Sequence, residues 1–245
     1  MLILGIDFET SGGDPEKHRI TEVGMAQWDT DLRQPTKVMG YLVNPGEGLE
    51  WEAEVLERYP EAPELVKLHG MEDLRAAKQF FLWLQSAETI CAHNGNKFDK
   101  KFAKKWADRY NFEFPENALW IDSFTDLPMP RWYTRKLAYM PIDHGIYPNP
   151  FPHRAVFDAV SMLQHVDKYP LDKVLQLARS PMVIVKALVT FQNNELAKKR
   201  GYHAEYKDGK FVMWFKEMKD IHVEIERDEC EAAGFQIEVI GISNR

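Results

Sequence analysis

The first ten residues limit the possible folds more than any other stretch of the chain. Residues 1–6 form a short, almost continuously apolar run, which is typical of a strand buried on both faces. Asp7 and Glu9 end this strand, and because side chains two apart in a strand point to one side, both carboxylates are expected to face the same spot. Phe8 is predicted to anchor the opposite face, and the turn residues 11–15 end the strand.

Paired carboxylates at the end of a buried strand suit a hard divalent cation, because such ions prefer oxygen ligands. The alternative is a strand end that carries two solvated acids. Asp7 and Glu9 alone do not decide between these two interpretations. The decision depends on whether other parts of the chain supply further ligands of the same kind.

The composition predicts an ordinary globular protein. Of the 245 residues, 44% are hydrophobic and 28% are charged, which is enough for one sizeable domain with or without a small second one. Cys91 and Cys230 lie far apart, so the sequence has neither a disulfide framework nor a zinc spacing, and a reducing, cytoplasmic location is expected. No window is long and apolar enough for a membrane span, so no membrane partner is expected.

A helix over residues 98–110 carries both a core stripe and a basic face. Its apolar residues recur every four positions, which indicates one buried face; they are Phe98, Phe102, Trp106 and Tyr110. Its other faces carry cations, namely Lys97, Lys100, Lys101, Lys104, Lys105 and Arg109. The net charge of −7 argues against phosphate binding by the whole surface, so this basic face is either a local phosphate track or simply solvated.

Two further acids, Asp99 and Asp158, each follow a segment that interrupts the regular secondary structure. Residues 93–96 can cap the following helix, and Asp99 lies at the N-terminal end of that helix. Residues 147–152 are too rich in proline for a helix or a central strand. His153 follows directly, and Asp158 comes five residues later, where an apolar helical run begins.

Residues 131–136 mix cations with aromatic side chains. Such a mixture suits phosphate contact combined with stacking on bases. It is equally expected of an amphipathic helix that packs its rings into the core, and the sequence leaves both interpretations open.

The chain resembles the DEDDh family of exonucleases in three stretches that occur in the family's order. They are Asp-Phe-Glu-Thr at 7–10, His-Asn-Gly-Asn-Lys-Phe-Asp at 93–99, and His-Arg-Ala-Val-Phe-Asp at 153–158. Residues 19–24 resemble the family's second strand, and residues 68–71 resemble its His-Gly-Ile step. The family includes the proofreading epsilon subunit of bacterial replicative DNA polymerase.

The resemblance covers residues 1–180 and implies an α/β, ribonuclease H-like fold with a mixed sheet flanked by helices. His153 lies five residues before Asp158 and no tyrosine lies four before it, so the sequence resembles the histidine branch of the family rather than the tyrosine branch. The Ser11-Gly12 pair is a mild variation on the family's Thr-Gly.

Asp7, Glu9, Asp99 and Asp158 together supply four carboxylates and no thiol, which favours Mg²⁺ or Mn²⁺ over zinc. Two such cations, about 3.5–4 Å apart, would neutralise the acids and clamp a scissile phosphate. His153 is expected to take the proton of the attacking water, because a histidine with an ordinary pKa near about 6.5 is a suitable base at neutral pH. The alternative for His153 is a surface loop residue without a catalytic role.

The resemblance also implies substrate-binding residues. Thr10 would contact the terminal nucleotide through its backbone, next to Phe8, and Asn94 and His69 would line the nucleotide pocket. The alternatives are that Asn94 only caps a helix and that His69 is a packed turn residue.

Residues 181–245 are predicted to form a second, small α+β domain after the exonuclease domain at 1–180. The order of predicted elements is β-α-β-β-α-β, with a hairpin turn at Lys207-Asp208-Gly209, and it is similar to a ferredoxin-like unit. No catalytic group is expected in this unit.

The sequence therefore predicts a metal-dependent 3′→5′ exonuclease that releases nucleoside 5′-monophosphates from single-stranded or frayed DNA ends. One alternative is an exoribonuclease of the same branch, since no reader of the 2′-hydroxyl is recognisable. Another is a non-catalytic accessory module that binds nucleic acid or a polymerase. The C-terminal unit is expected to meet DNA, or a polymerase or another replication or repair protein.

Overall fold

The computed structural model describes residues 1–130, 133–190 and 193–243. The chain divides into two compact units, residues 1–178 and 179–245. Each unit has a sheet and a hydrophobic core of its own. Within the described ranges, no helix combines the length and the apolar character that crossing a bilayer requires.

The first unit is built from short strands and helices that alternate after an initial meander. Its strands are β1 (Leu2–Thr10), β2 (Ile20–Asp29), β3 (Gln34–Asn44), β4 (Met71–Glu72), β5 (Thr89–Ala92) and β6 (Leu119–Asp122). Its helices are α1 (Ala53–Arg58), α2 (Ala62–His69), α3 (Asp73–Gln85), α4 (Asp99–Tyr110), α5 (Met140–His144), α6 (Ala155–Val166) and α7 (Leu171–Arg179).

These strands form one mixed sheet in the order β4-β3-β2-β1-β5-β6. Strands β1, β2 and β3 pair antiparallel, whereas β1 with β5 and β5 with β6 pair parallel. The carboxyl ends of β1 and β5 therefore lie at the same edge of the sheet. This arrangement confirms the predicted ribonuclease H-like class of fold.

Helices cover both faces of the sheet, and the alternation of side chains along β1 separates the two cores. Ile6 and Phe8 point to the face where Phe80 of α3 and Trp106 of α4 pack. Ile3 points to the other face, which is covered by α6 and α7. The predicted stripe of α4 is confirmed, because its four aromatic residues all belong to the first core.

Helix α6 lies unusually close to β2. A Cβ atom on Gly24 would be 2.0 Å from the carbonyl carbon of Ala155, so only glycine permits this approach. A Cβ atom on Gly40 of the neighbouring strand would be 2.8 Å from the side chain of Val156. The first turn of α6 is thereby held directly against the sheet.

The basic face of α4 is largely occupied by intramolecular contacts. Lys104 pairs with Glu116 at 2.7 Å and Lys105 pairs with Glu16 at 2.5 Å. Lys100 lies 5.1 Å from the ring centroid of Trp120. These contacts favour the structural interpretation of this face over a phosphate track.

The second unit has the predicted order of elements. They are β7 (Met182–Leu188), α8 (Asn194–Lys199), β8 (His203–Lys207), β9 (Lys210–Lys219), α9 (Val223–Ala232) and β10 (Gln236–Ile242). The four strands pair antiparallel in the order β10-β7-β9-β8, which is the arrangement of a ferredoxin-like unit. Asp208 and Gly209 have φ angles of 53° and 75°, as a two-residue hairpin turn requires.

Two differences from the sequence-based expectations concern segments without strong periodicity. The stretch 131–136 does not form one amphipathic helix over its described part, because residues 133–136 are irregular; Arg131 and Trp132 lie outside the described residues. Helices α1, α2 and α5 were not anticipated as separate elements, since each has at most eight residues.

Candidate active site

A cleft of about 710 Å³ opens at the sheet edge where β1 and β5 end. The end of β1, the β5–α4 connection, α1 and the segments on either side of α5 line it. The predicted catalytic residues all lie on its wall, namely Asp7, Glu9, Asp99, His153 and Asp158.

Strand β1 delivers the first two acids. Its residues from Ile3 to Ile6 are buried, after which Asp7 and Glu9 remain partly accessible from the cleft, on either side of the buried Phe8. Burial, together with the charges of Asp99, Glu9 and Asp158, raises the pKa of Asp7 well above its usual range.

Asp99 is the first residue of α4, and it is joined directly to β1. The backbone N–H of Phe8 donates to Asp99 Oδ1 at 3.1 Å. Burial raises the pKa of Asp99 to about 8, although this hydrogen bond favours the carboxylate. The third acid is therefore fixed relative to the first two.

Asp158 lies in the first turn of α6, and two donors orient its carboxylate. The backbone N–H of His153 donates to Oδ2 at 2.7 Å, and Asn149 Nδ2 donates to Oδ1 at 2.8 Å. The His153 backbone is left-handed, with a φ of 62°, and its ring lies 6.0 Å from that of Tyr59. Potential ligand atoms of Glu9, His153 and Asp158 all lie within 4.8 Å of one another.

The electrostatics of this cluster fit a divalent cation. Burial and the charges of Glu22, Asp158 and Asp99 raise the pKa of Glu9 to about 8. Carboxylates that repel one another in this way are stabilised by bound cations, and oxygen ligands with a single imidazole suit a hard ion. The residues present therefore fit the divalent metal that the sequence predicted.

Glu22 is an acid next to the site that the sequence analysis missed, although it does not line the cleft itself. It lies on β2 directly opposite Glu9, and only 6% of its surface is exposed. Arg154 Nε donates to both of its carboxylate oxygens, at 3.1 and 3.0 Å. The available signal was an acid inside an otherwise apolar strand, but its partner lies 132 residues away in sequence.

Three of the four residues predicted to bind substrate line the cleft, and the fourth does not. Phe8 and Thr10 reach the cleft, as does Asn94, whose φ is 57°. The hydroxyl of Thr10 donates to the carbonyl of Gly12 at 2.7 Å, which leaves its backbone at the cleft wall. His69 ends α2 and is exposed, but it is not among the residues that line the cleft.

His93 also lines the cleft, and a hydrogen bond fixes the orientation of its ring. Its Nδ1 lies 2.9 Å from the hydroxyl of Ser123, and burial lowers its pKa to about 4. A neutral His93 is therefore expected at physiological pH, in a structural role beside Asn94.

The lining of the cleft also includes cations and aromatic rings, most of which the sequence analysis did not assign to the site. Arg58 and Tyr59 lie at the end of α1, and Lys136 and Tyr139 lie before α5. Lys136 belongs to the stretch that mixes cations with rings. The signal for Arg58 and Tyr59 was weak, because the short helix α1 buries none of its residues.

The sequence profile of an exonuclease family, RNase_T, matches residues 4–164. The chain belongs to this exonuclease family. The match includes β1, α4 and the first turn of α6, so it covers all of the elements that carry the five predicted catalytic residues. A comparison with curated protein sequences gave no significant match.

Solved exonuclease structures share the fold of this family member. Escherichia coli exonuclease I in complex with a dT13 oligonucleotide has a TM-score of 0.59 at 14% identity, over 80% of this chain and 50% of that one. A product-bound exonuclease I has a TM-score of 0.60 at 12% identity, over 99% and 63% of the two chains. The nuclease domain of 3'hExo, a DEDDh family member bound to rAMP, has a TM-score of 0.54 at 19% identity, over 68% and 90%.

The chain spans about half the length of several of these exonuclease I chains, for example 48% in one structure. At identities below 20% this similarity concerns the fold alone.

Proposed function

We propose that this protein is a 3′→5′ exonuclease that hydrolyses the terminal phosphodiester of a DNA strand and releases a nucleoside 5′-monophosphate. The observation that carries the proposal is the convergence of Glu9, His153 and Asp158 within 4.8 Å, beside Asp7 and Asp99 in one open cleft. A binding module has no use for such a cluster, because it costs folding energy unless cations neutralise it.

Asp7, Glu9, Asp99 and Asp158 would hold the metal, most simply two Mg²⁺ or Mn²⁺ ions. When bound, such ions stabilise charge on the scissile phosphate and lower the pKa of water. The chain's own contribution is to fix the ligands: the Phe8 N–H orients Asp99, and the His153 N–H and the Asn149 amide orient Asp158.

His153 would accept the proton of the attacking water. His153 is exposed where it lines the cleft, and its backbone N–H is hydrogen-bonded to Asp158, so its ring lies next to the acids. The contact with Tyr59 limits the directions in which the ring can turn. Such a placed base is worth roughly 10²–10⁴ in rate.

The cleft walls support a single-stranded or frayed end as substrate. Tyr59 and Tyr139 line the cleft and can stack on bases. Arg58 and Lys136 line the same cleft and can contact phosphates. The volume of about 710 Å³ lies within the usual range of ligand-binding clefts, about 300–1,000 Å³, and is large enough for a terminal nucleotide.

RNA is the second candidate substrate. One similar structure is described as bound to rAMP and another as bound to a dT13 oligonucleotide. Proteins with this fold therefore bind nucleotides with ribose and nucleotides with deoxyribose. A donor or acceptor aimed at the 2′-hydroxyl would decide between them.

An assay of polarity on matched DNA and RNA oligonucleotides tests the proposal. Substrates carry a label at the 5′ or the 3′ end and are incubated with Mg²⁺, with Mn²⁺ or with chelator. We expect a ladder that shortens from the 3′ end, released mononucleotides, and no reaction in chelator. Asp158→Asn is the matched inactive control. Cleavage from the 5′ end, or none on either polymer, would contradict the proposal.

The second unit, with the domain boundary near residue 180, is proposed to be a targeting module. Tyr206 and Phe211 pair across the β8–β9 hairpin with 65% and 52% of their surfaces exposed. Lys207 and Lys210 are also directly opposite each other, and like charges so placed repel. A nucleic-acid strand would relieve that repulsion and stack on the rings.

A polymerase or another replication or repair protein is the alternative partner for the second unit. We also propose that the protein is similar to the epsilon subunit, that it acts in proofreading or repair, and that it is located in the cytoplasm.

A further inference from the structure

We infer that Glu22 is a positioning residue, which holds the segment bearing His153 and Asp158 by capping α6 from strand β2. The inference rests on the proposed function, since it assigns Glu22 a task in the same site.

The carboxylate of Glu22 occupies the N-terminus of α6. It accepts two contacts from Arg154 Nε, at 3.1 and 3.0 Å, and a hydrogen bond from the backbone N–H of Ala155. Ala155 is the first residue of the helix, and Arg154 occupies the capping position without a capping side chain of its own. The first N–H groups of a helix need acceptors, and a negative charge is favourable there. Glu22 supplies both from a different element.

The surface of β2 around Glu22 is shaped for this contact. Gly24 lies two residues further on the same face, and it is the residue that lets the backbone of Ala155 approach the sheet. Val156 then packs over Gly40. Strand β2 thus provides a hydrogen-bond acceptor and a surface without side chains against which the first turn of α6 packs.

Arg154 connects the contact with Glu22 to His153 and Asp158. It lies between His153 and α6, and its carbonyl oxygen accepts from the N–H of Asp158 at 3.1 Å. His153 in turn donates its N–H to Asp158 Oδ2 at 2.7 Å, with a left-handed backbone that needs outside support. If Arg154 is released, both His153 and the carboxylate of Asp158 lose their fixed positions.

The bonding of Glu22 differs from that of a metal ligand. Both of its oxygens already accept from Arg154, and the ion pair leaves only 8% of its side chain exposed. A buried acid opposite Glu9 adds to the repulsion in the cluster, so its charge is tolerable only because Arg154 balances it.

A second ion pair at the other end of α6 provides a matched control. Arg33 Nε contacts Asp167 Oδ2 at 2.7 Å, and Arg33 Nη2 donates to the Asp167 carbonyl at 2.9 Å, just after α6 ends. Arg33→Gln therefore removes a similar pair from the same helix, far from the cleft.

The test compares Glu22→Gln, Arg154→Gln, Arg154→Lys and Arg33→Gln in the full chain. We expect the first two to lower kcat by roughly 10–100-fold, as expected when catalytic groups move by about 1 Å. KM should change by less than about threefold, because no substrate contact is removed. Arg154→Lys should keep more activity than Arg154→Gln, and Arg33→Gln should remain within about twofold of wild type.

Two further measurements separate positioning from other roles. Amide hydrogen exchange of Phe157 and Asp158, which both donate to the Arg154 carbonyl, should accelerate in Glu22→Gln and not in Arg33→Gln. The rise in melting temperature on adding Mg²⁺ should be the same in Glu22→Gln as in Arg154→Gln, because both variants disturb the metal site only through the position of Asp158.

Unchanged exchange and unchanged kcat in Glu22→Gln would overturn the inference. So would a loss of the Mg²⁺-dependent rise in Glu22→Gln alone, because Glu22 would then be a metal ligand. If the wild type cleaves no nucleic acid, the proposed function fails, while the exchange measurement still decides whether Glu22 holds α6.

Discussion

The backbone of Phe8 and the side chain of Asp99 are joined by a buried hydrogen bond of 3.1 Å between residues 91 positions apart. This bond locks the strand that carries Asp7 and Glu9 to the helix that carries the third acid. Asp99 therefore has two tasks, one as an acceptor in the fold and one as a charge in the cleft.

Two substitutions of Asp99 separate these tasks. Asp99→Asn keeps an oxygen for the Phe8 N–H, so the melting temperature should stay near or above that of the wild type while activity falls by roughly 10²–10³-fold. Asp99→Ala should lose activity and also about 1–3 kcal/mol of unfolding free energy, because a buried N–H is left without a partner. Equal stability of the two variants in denaturant titrations would argue against the structural task.

Removal of divalent metal is expected to abolish activity and to lower the melting temperature, since the ions bind only the folded state. Burial raises the pKa values of Glu9 and Asp99 to about 8, so below that pH the metal must displace protons. The Mg²⁺-dependent rise in melting temperature should therefore increase between pH 6 and pH 8.5. Asp158→Ala should be folded and inactive. Full turnover in excess chelator would contradict the metal-dependent mechanism.

His153→Ala should lower kcat by roughly 10²–10⁴-fold, the usual contribution of a general base. The Mg²⁺-dependent rise in melting temperature should be retained, because the carboxylates hold the metal. A variant that keeps kcat would place the base elsewhere. A variant that loses the Mg²⁺ effect would make His153 a ligand, an arrangement that its distance from Glu9 and Asp158 permits.

His165 is expected to make the protein sensitive to acid. Its side chain is fully buried with Nε2 unpaired among the described residues, and burial, with the charges of His144, His93 and Lys168, lowers its pKa to about 4. Between about pH 6.5 and 4 the unfolded chain binds the proton more readily, so the unfolding free energy falls as pH falls through this window, by about 3 kcal/mol. Denaturant titrations of His165→Leu should show a weaker fall. An identical pH dependence in this variant would assign the effect to other groups.

The hairpin of the second unit is expected to strengthen binding of long strands. Replacing Tyr206 and Phe211 by serine should weaken binding of a long single strand, since stacking is worth roughly 1–3 kcal/mol per base. Cleavage of a short oligonucleotide at saturation should be unchanged. Ile242→Ser, which alters an equally exposed apolar residue on the opposite edge strand, is the control. Unchanged affinity for long strands would favour a protein partner.

The sequence predicted those parts of the site that depend on local patterns. The spacing of Asp7 and Glu9 placed both acids on one side of β1, and the four-residue spacing of aromatic side chains placed Phe102 and Trp106 of α4 in the core. The hairpin at Asp208 and Gly209 follows from turn chemistry in the same way.

Contacts between distant segments could not be predicted in this way. Glu22 and Arg154 meet only because α6 packs on β2, and neither residue has a neighbour in sequence that indicates the other. Arg58 and Tyr59 reach the cleft from a short helix whose position depends on the whole sheet. The role predicted for His69 has no support from its place outside the cleft lining and stays a prediction.

The position of α6 in the chain has a consequence during protein synthesis. Three acids of the cleft leave the ribosome early, but His153 and Asp158 arrive only with the helix that must settle against Gly24. A nascent chain that stops before this helix has an incomplete cleft. With the function proposed above, the growing polypeptide is therefore expected to have no nuclease activity until nearly all of its first unit has been translated.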